Sequence, residues 1–208
     1  MEIIKLKPLS MCDTNSYIVA TEKHNAVLID APDDAGYILD ELTLRGLTLK
    51  KILLTHGHFD HVGAVADLAE KTGCEVYIHE KDLKKLSTDM DGLLVNYFRV
   101  RGMRTYEGAI PVAEYDIIKQ DELEFDVVHT PGHTSGSVCY IVGDVMFTGD
   151  TLFARSVGRT DMPDGSGALL MQSLEKIKDL GGDLRILPGH MCETSLESER
   201  KYNPYLIG

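Results

Sequence analysis

The most informative stretch of the sequence is LLTHGHFDHV (residues 53–62), because it places three histidines and one aspartate within six positions directly after an apolar run. Imidazole and carboxylate together form a ligand set that zinc, iron and manganese accept in proteins. A turn at the end of a strand can point His56 and His58 in one direction and Asp60 and His61 in another. One metal ion needs only three such side chains, so four of them predict two adjacent metals. The alternative, a solvated polar turn, is disfavoured because three later loops supply matching groups.

Each of these three loops begins where a predicted strand ends. The candidate ligands are His133 in TPGHTSGS, Asp150 in GDTLF and His190 in LPGH. In the first loop, Pro131 and Gly132 predict a tight turn in which the backbone comes close to a ligand. A rigid scaffold that carries its chemistry on loops is the usual arrangement of an enzyme.

Length and composition limit the class of protein. A chain of 208 residues fits one large domain, residues 1–208, better than two small ones. Acidic residues outnumber Lys and Arg by 33 to 21, and the net charge of −12 disfavours nucleic acid as a partner. No apolar run approaches the roughly 20 residues of a membrane span, and no signal peptide is evident, so we expect a cytoplasmic protein that binds no membrane. Four widely spaced cysteines favour reduced thiols over a disulfide framework.

Short runs rich in Ile, Val and Leu alternate with longer amphipathic segments. We predict strands over 2–7, 16–20, 26–30, 51–54, 75–78, 115–118, 123–129, 136–142, 144–148 and 184–187. We predict helices over 34–45, 62–72, 80–87 and 167–180. Asp33 is expected to cap the first helix, and Gly46 to end it. Two halves with strands before helices predict an α/β protein with two sheets packed face to face and helices outside, a four-layer sandwich.

The connection between the halves, residues 88–113, shows no clean period. A connection of this length inside a domain is usually a functional lid or a flap. Its basic and aromatic residues fit either a pocket wall or a dimer contact. They are Tyr97, Phe98, Arg99, Arg101, Arg104 and Tyr106.

The order of candidate ligands resembles a known family. His-x-His-x-Asp-His followed by His133, Asp150 and His190 is similar to the pattern of the metallo-β-lactamase superfamily, over nearly the whole chain. Within it, THGHFDH, TPGHTSGS, GDTLF and LPGH resemble the hydroxyacylglutathione hydrolases (glyoxalase II), particularly short forms without the extra C-terminal helical domain. This resemblance implies an αβ/βα sandwich with the site along one edge, which agrees with the predicted layers.

The resemblance also implies a division of the ligands between two divalent metal ions. His56, His58 and His133 would hold the first metal, Asp60, His61 and His190 the second, and Asp150 would bridge both. Two metals about 3.5 to 4 Å apart can share a water, lower its pKa and leave a Lewis acid free to polarise a carbonyl. Asp60 is also predicted to orient the resulting hydroxide, as a catalytic residue. We expect zinc, while iron and manganese suit the same ligands.

Two residues outside the ligand set are predicted to assist. Metal-bound imidazoles usually donate their other N–H to a carboxylate or carbonyl, and the resemblance implies this role for Asp30; a turn aspartate is the alternative. Arg159 lies where glyoxalase II has a basic residue that grips a carboxylate of the thiol carrier. Asp161 and Cys192 stand where that family commonly has tyrosine. Asn15 needs no explanation beyond an ordinary turn.

The leading hypothesis is a binuclear metal thioesterase acting on a small molecule such as S-lactoylglutathione. The strongest alternative is a persulfide dioxygenase of the same superfamily with one iron, because this chain shares its GRTD segment (158–161). A lactonase would use the same hydroxide. A non-catalytic metal-binding protein would need no open coordination position, whereas seven ligands for two metals leave room for water and substrate.

Overall fold

Two six-stranded sheets carry most of the chain in the computed structural model, which describes residues 1–9, 12–87 and 104–207. The first sheet contains, in hydrogen-bonded order, β1 (Glu2–Lys5), β2 (Tyr17–Ala20), β3 (Asn25–Ile29), β4 (Thr48–Leu53), β5 (Glu75–His79) and β6 (Ile110–Val112). The later strands are β7 (Ile117–Gln120), β8 (Leu123–His129), β9 (Val138–Val142), β10 (Val145–Gly149), β11 (Leu152–Phe153), β12 (Ser156–Val157), β13 (Arg185–Pro188) and β14 (Thr194–Ser195). The second sheet has the order β14-β13-β10-β9-β8-β7, and β11 pairs with β12 alone.

Helices cover the outer face of each sheet. They are α1 (Ala35–Leu44), α2 (Phe59–Val62), α3 (Val65–Thr72), a 3₁₀ helix (Glu80–Asp82), α4 (Leu83–Ser87), α5 (Gly167–Lys178) and α6 (Leu196–Tyr202). Side chains of α1 and α3 share an apolar cluster with the first sheet, and those of α5 and α6 share one with the second sheet. A third cluster lies between the sheets. The predicted four-layer αβ/βα sandwich is confirmed.

The alternation of side chains along each strand explains these layers. In β3, Ala26 and Leu28 pack toward the helices, whereas Val27 and Ile29 pack toward the second sheet. Successive strand side chains point to opposite faces, and here both faces are buried. The strands therefore have the continuous apolar sequences of a sheet covered on both sides.

Strand direction brings several chain segments to one edge. The β3 and β4 strands are parallel, so the residues that follow them leave the first sheet on the same side. In the second sheet, β8 and β10 are both antiparallel to β9, and β10 is parallel to β13. The carboxyl ends of β8, β10 and β13 consequently share one edge. Each of these strands precedes a predicted ligand.

Two predicted helix details are wrong. The N-cap of α1 is Asp34 rather than Asp33, because Asp34 adopts a left-handed conformation (φ 51°) from which its carboxylate accepts a hydrogen bond from the N–H of Tyr37. The segment 62–72 is not one helix, since α2 ends at Val62 and α3 begins at Val65. The N–H of Ala64 at this break donates to the carbonyl of Ala31 in another loop.

The middle of the chain also departs from the prediction. The strand expected at 115–118 lies at Ile117–Gln120, and the predicted connection contains β6, which pairs with β5. Residues 88–103 of that connection lie outside the described residues. Arg104 pairs with Asp67 and Glu70 of α3, and Tyr106 packs against the outer cluster of the first sheet. In the described parts of the chain, no helix combines the length and apolar character needed to cross a membrane.

Candidate metal centre

The seven predicted ligands come together where the carboxyl ends of strands from both sheets meet. The loop after β4 supplies two histidines, α2 supplies an aspartate and a histidine, and the loops after β8, β10 and β13 supply one residue each. We call His56, His58 and His133 the first ligand group, and Asp60, His61 and His190 the second. In each group, one ligand atom per residue lies within 4.8 Å of the others.

Asp150 lies between the two groups. Its Oδ2 is 3.5 Å from Nε2 of His133 in the first group and 3.3 Å from Nε2 of His190 in the second. Its Oδ1 is 3.4 Å from Nε2 of His61. One carboxylate therefore faces nitrogen atoms of both groups, which is the placement expected of a ligand shared by two ions.

Buried polar atoms test whether these residues fit metal ions. Nε2 of His56, Nε2 of His58, Nε2 of His61 and Oδ1 of Asp150 are buried with no hydrogen-bond partner among the described residues. A buried polar atom left unpaired costs about 1 to 3 kcal/mol. Coordination of a cation removes that cost, and imidazole and carboxylate are suitable donors for it. The site fits two divalent metals.

Asp30 connects ligands of both groups. The carboxylate follows β3, is 2% exposed, and its Oδ2 accepts hydrogen bonds from Nδ1 of His61 and Oγ1 of Thr55, both at 2.8 Å. The backbone N–H of Thr55 donates to Oδ1 at 2.8 Å. Because the Thr55 hydroxyl donates to Asp30, it can accept from Nδ1 of His56, 3.1 Å away. Both histidines thus keep Nε2 for a metal. The turn interpretation of Asp30 does not account for these contacts.

A backbone carbonyl orients His133. Nδ1 of His133 donates to the carbonyl oxygen of Arg159 at 2.7 Å, which leaves Nε2 facing Nδ1 of His58 at 2.8 Å. The expectation that Gly132 brings the backbone close to a ligand stays a prediction. A Cβ on Gly132 (φ 143°) would lie 2.3 Å from the backbone nitrogen of Leu170, so glycine is needed here for the packing of this turn against α5.

The Arg159 side chain points away from this contact. It is 65% exposed, and its Nε and Nη2 donate to the carboxylate of Asp161 at 2.6 and 2.7 Å. The prediction that it binds substrate stays a prediction. Asp161 stands where the hydroxyacylglutathione hydrolases commonly have tyrosine. In this chain it is the ion-pair partner of Arg159.

The loop before β2 contacts the second ligand group and holds it in place. The sequence did not indicate this role of the loop. The Thr14 hydroxyl donates to Oδ2 of Asp60 at 3.0 Å. Nδ2 of Asn15 donates to the carbonyls of Pro188 and Met191, at 2.9 and 3.0 Å, on either side of His190. Met191 is in the left-handed region (φ 68°), which is strained for a non-glycine residue. The only sequence signal was the polar TN pair before an apolar run, which is also typical of a turn.

The two ligand groups differ in proton affinity. Burial, together with neighbouring imidazoles, lowers the pKa of His56 well below its usual value and that of His58 to about 3. Burial acts in the same direction on His61 and His190, but surrounding carboxylates outweigh it. They raise the pKa of His61 well above its usual value and that of His190 to about 9. The second group is therefore the more strongly anionic environment, suited to a cation.

The second group also faces solvent. His190 keeps 20% of its side chain exposed, whereas His61 has none exposed. The two residues that follow, Met191 and Cys192, are exposed as well. Substrate and water can thus approach the ligands from the side of His190.

Comparison with known proteins defines the class to which this fold and site belong. The chain is a member of the metallo-β-lactamase superfamily, whose family model matches residues 9–190. The resemblance predicted from the ligand pattern is confirmed.

Individual relatives narrow the comparison. The hydroxyacylglutathione hydrolase GloC of Haemophilus influenzae is 33% identical over 211 residues, which cover 98% of this chain and 97% of GloC. The crystal structure of BLEG-1 B3 metallo-β-lactamase superposes with a TM-score of 0.89 at 33% identity, covering 100% of both chains. The structure of TTHA1623 in a di-iron-bound form superposes with a TM-score of 0.83 at 35% identity, covering 98% of this chain and 100% of the other. This chain is similar to proteins named for different substrates, and one of the similar structures is in a di-iron-bound form.

Proposed function

We propose that this chain is a binuclear metal-dependent hydrolase of thioesters, acting on S-lactoylglutathione or a related small acyl thioester. The observation that carries the proposal is the pair of adjacent ligand groups with Asp150 between them, 3.3 to 3.5 Å from nitrogens of both. Similarity to GloC along nearly the full length supports the substrate class. We further propose that this enzyme is a single domain, that it acts in the cytoplasm and that its metal is zinc.

Two divalent ions held by this set would lower the pKa of a bound water toward neutrality and polarise the thioester carbonyl. The chain's own residues supply the orientation. Asp30 and the carbonyl of Arg159 hold the Nδ1 atoms of His61 and His133, so the opposite nitrogens face the site. Orienting contacts of this kind fix both the tautomer and the aim of an imidazole.

Asp60 is proposed to orient the nucleophile. Burial raises the pKa of this carboxyl, but His61 and the hydrogen bond with His190 outweigh burial and bring it to about 2. The carboxylate is therefore ionised at neutral pH and can accept a hydrogen bond from an attacking water. The Thr14 hydroxyl, 3.0 Å from Oδ2, limits the rotation of this carboxylate. A thiolate leaves readily, so the reaction needs little help from a general acid.

Arg159 is proposed to bind a carboxylate of the thiol carrier. Its guanidinium is exposed at the end of a segment whose backbone contacts His133, so it lies beside the ligands without joining them. Its present partner, Asp161, is also exposed, and exposed ion pairs are worth only about 0 to 1 kcal/mol. A substrate carboxylate can replace Asp161 at little cost.

The test is hydrolysis of S-lactoylglutathione by the purified, zinc-loaded protein, together with metal content per chain. We expect turnover with about two metals per chain. His133→Ala should sharply reduce both turnover and metal content, whereas His24→Ala, at an exposed histidine outside the site, should change neither. Near-normal turnover in His133→Ala would contradict the assigned role.

The persulfide dioxygenase alternative is tested with the same preparations. It requires about one iron per chain and oxygen uptake with glutathione persulfide, in place of thioester hydrolysis. The GRTD segment (158–161) supports this alternative, because it resembles the corresponding segment of the persulfide dioxygenases. Oxygen consumption by the iron-loaded protein without thioester turnover would replace the hydrolase proposal.

A further inference from the structure

A fully buried carboxylate outside the ligand set joins the two loops that carry the first ligand group. Asp82 ends the 3₁₀ helix after β5 and is 0% exposed. Its Oδ2 accepts hydrogen bonds from the N–H of Gly57 and the hydroxyl of Thr134, both at 2.8 Å. Its Oδ1 accepts from the N–H of Gly136 at 3.0 Å. One carboxylate thus receives donors from the loops after β4 and after β8.

These donors lie beside the ligands in the sequence. Gly57 stands between His56 and His58, and Thr134 directly follows His133. We propose that Asp82 is a positioning residue that sets the spacing of the first ligand group and thereby its affinity for metal. This inference deepens the proposed function and rests on it only in requiring that the site binds metal.

A buried cation balances the charge of Asp82. Nζ of Lys85 lies 3.2 Å from Oδ1 of Asp82 and 2.7 Å from Oδ2 of Asp164, and its side chain is only 6% exposed. The same oxygen of Asp164 accepts from the N–H of Ser135 at 3.1 Å. A buried charge is tolerated when it is paired and fully hydrogen-bonded, and removal of one partner is strongly destabilising. The carboxylate of Asp82 is therefore held in place independently of any metal.

The loop after β8 is packed directly onto this carboxylate. A Cβ on Gly136 would lie 2.6 Å from Cγ of Asp82, so only glycine fits at this approach. An amide in place of the carboxylate keeps the shape but presents N–H donors where Oδ1 or Oδ2 now accepts. Gly136 and Lys85 donate to one oxygen of Asp82, and Gly57 and Thr134 donate to the other. In either orientation of an asparagine side chain, its amide N–H groups would therefore face other donors.

The second ligand group is held by other residues. Asp30 contacts His61, Thr14 contacts Asp60, and the side chain of Asn15 holds the turn around His190. Loss of the Asp82 carboxylate should therefore affect the two groups unequally. A merely structural role in folding predicts no such difference.

The experiment measures the dissociation constant for Zn²⁺ alone, by chelator competition, with no thioester present. Asp82→Asn is combined with His190→Ala, which leaves the first group intact, and separately with His133→Ala, which leaves the second. In the His190→Ala background we expect Asp82→Asn to weaken Zn²⁺ binding by about 10- to 100-fold, the range typical of residues that orient ligands. In the His133→Ala background we expect Asp82→Asn to change the dissociation constant for Zn²⁺ by less than about twofold.

Glu199→Gln is the matched control. Glu199 is a carboxylate of equal burial that accepts from the hydroxyl of Thr194 at 2.7 Å, the side-chain amide of Asn203 at 2.9 Å and the N–H of Arg155 at 2.8 Å. Its loss should lower the stability of the metal-free protein without changing Zn²⁺ affinity in either background. Urea unfolding of the metal-free variants measures that stability.

Thr134→Val is a milder variant for use if Asp82→Asn does not fold. It removes one donor to Asp82 and should weaken Zn²⁺ binding in the same background by a smaller factor. Equal weakening in both backgrounds, or the same weakening in Glu199→Gln, would overturn the proposal, as would unchanged affinity. Because no thioester is used, loss of hydrolysis and failure of this inference remain separate results.

Discussion

Asp30→Asn is the substitution that best tests how the ligands are held. The carboxylate accepts three hydrogen bonds at 2.8 Å, from Nδ1 of His61 and from the hydroxyl and N–H of Thr55. Asparagine has one acceptor oxygen and one donor group. If the oxygen faces His61 and the Thr55 hydroxyl, the amide nitrogen faces the Thr55 N–H, and at least one bond is lost. In the opposite orientation two bonds are lost.

The expected magnitude follows from these contacts. Hydrogen bonds to charged groups contribute about 1.5 to 3 kcal/mol, so the metal-free protein should lose about that much free energy of unfolding. Zn²⁺ affinity should fall by about 10- to 100-fold, because His61 loses its orienting carboxylate and His56 loses the same support through Thr55. This fall corresponds to about 1.4 to 2.8 kcal/mol of binding free energy.

Urea unfolding of the metal-free protein and chelator competition for Zn²⁺ measure the two effects separately. Thr55→Val separates the paths, because it removes the hydroxyl that joins Asp30 to His56 and keeps the direct contact with His61. We expect its Zn²⁺ affinity to fall less than that of Asp30→Asn. If Asp30→Asn loses stability and binds Zn²⁺ as tightly as the wild type, Asp30 is a structural residue and does not position the ligands.

Three further predictions concern other parts of the molecule. Asn15→Ala removes both side-chain hydrogen bonds to the turn that carries the last ligand, and should weaken Zn²⁺ binding by about tenfold in the chelator assay; unchanged affinity would restore the ordinary-turn interpretation. His79→Gln should reduce the loss of stability on acidification, measured by urea unfolding between about pH 7 and pH 4.5, and an unchanged pH dependence in this variant would contradict the prediction. Arg159→Ala should raise KM for an anionic thioester with kcat less affected, and Asp161→Asn should lower KM by up to about fivefold, because it releases the guanidinium; an unchanged KM in both would remove this ion pair from substrate binding.

The sign of the pH prediction follows from the surroundings of His79. Burial and the ring of His129, stacked at 4.1 Å, lower the pKa of His79 to about 4 from an ordinary value of 6.5. Glu80 and Asp82 oppose this shift and Lys81 adds to it. The unfolded chain thus takes up a proton as the pH falls through 6.5, which the folded chain does not until about 4. The associated stability is complete above 6.5 and lost on acidification, by at most about 3 kcal/mol.

The features of the fold and of the candidate site that depend on local sequence pattern could be predicted from the sequence. Apolar runs identified most strands, and candidate ligand types recurred where strands end, so the layers and the clustering of the seven candidate ligands could be predicted without a structure. Boundaries were less accurate where neighbouring residues compete for one role. Asp33 and Asp34 are chemically identical caps, and only the left-handed backbone of Asp34 decides between them.

Contacts between distant segments could not be predicted. Asp82 lies 25 residues from Gly57 and 52 from Thr134, and a lone aspartate after a strand carries no signal of either partner. Asn15 contacts the carbonyl of Met191 across 176 residues. The strand β6 was missed because it is only three residues long and has a proline at its centre. Such features depend on tertiary packing, which local propensity does not encode.

Arg159 shows why the metal site and the substrate preference can change independently. Its carbonyl oxygen orients His133, and every amino acid supplies that oxygen, so replacement of the side chain leaves the contact available. Its guanidinium is exposed and paired with Asp161, where substitution alters what an approaching anion meets. Asn15 contributes to the metal site through a buried side chain, whereas the neighbouring Met191 contributes a carbonyl and exposes its side chain. Where a ligand is held by main-chain oxygen, the side chain of the same residue is free to vary. In this chain the residues around the opening of the candidate metal centre can therefore change while the contacts that orient its ligands are kept.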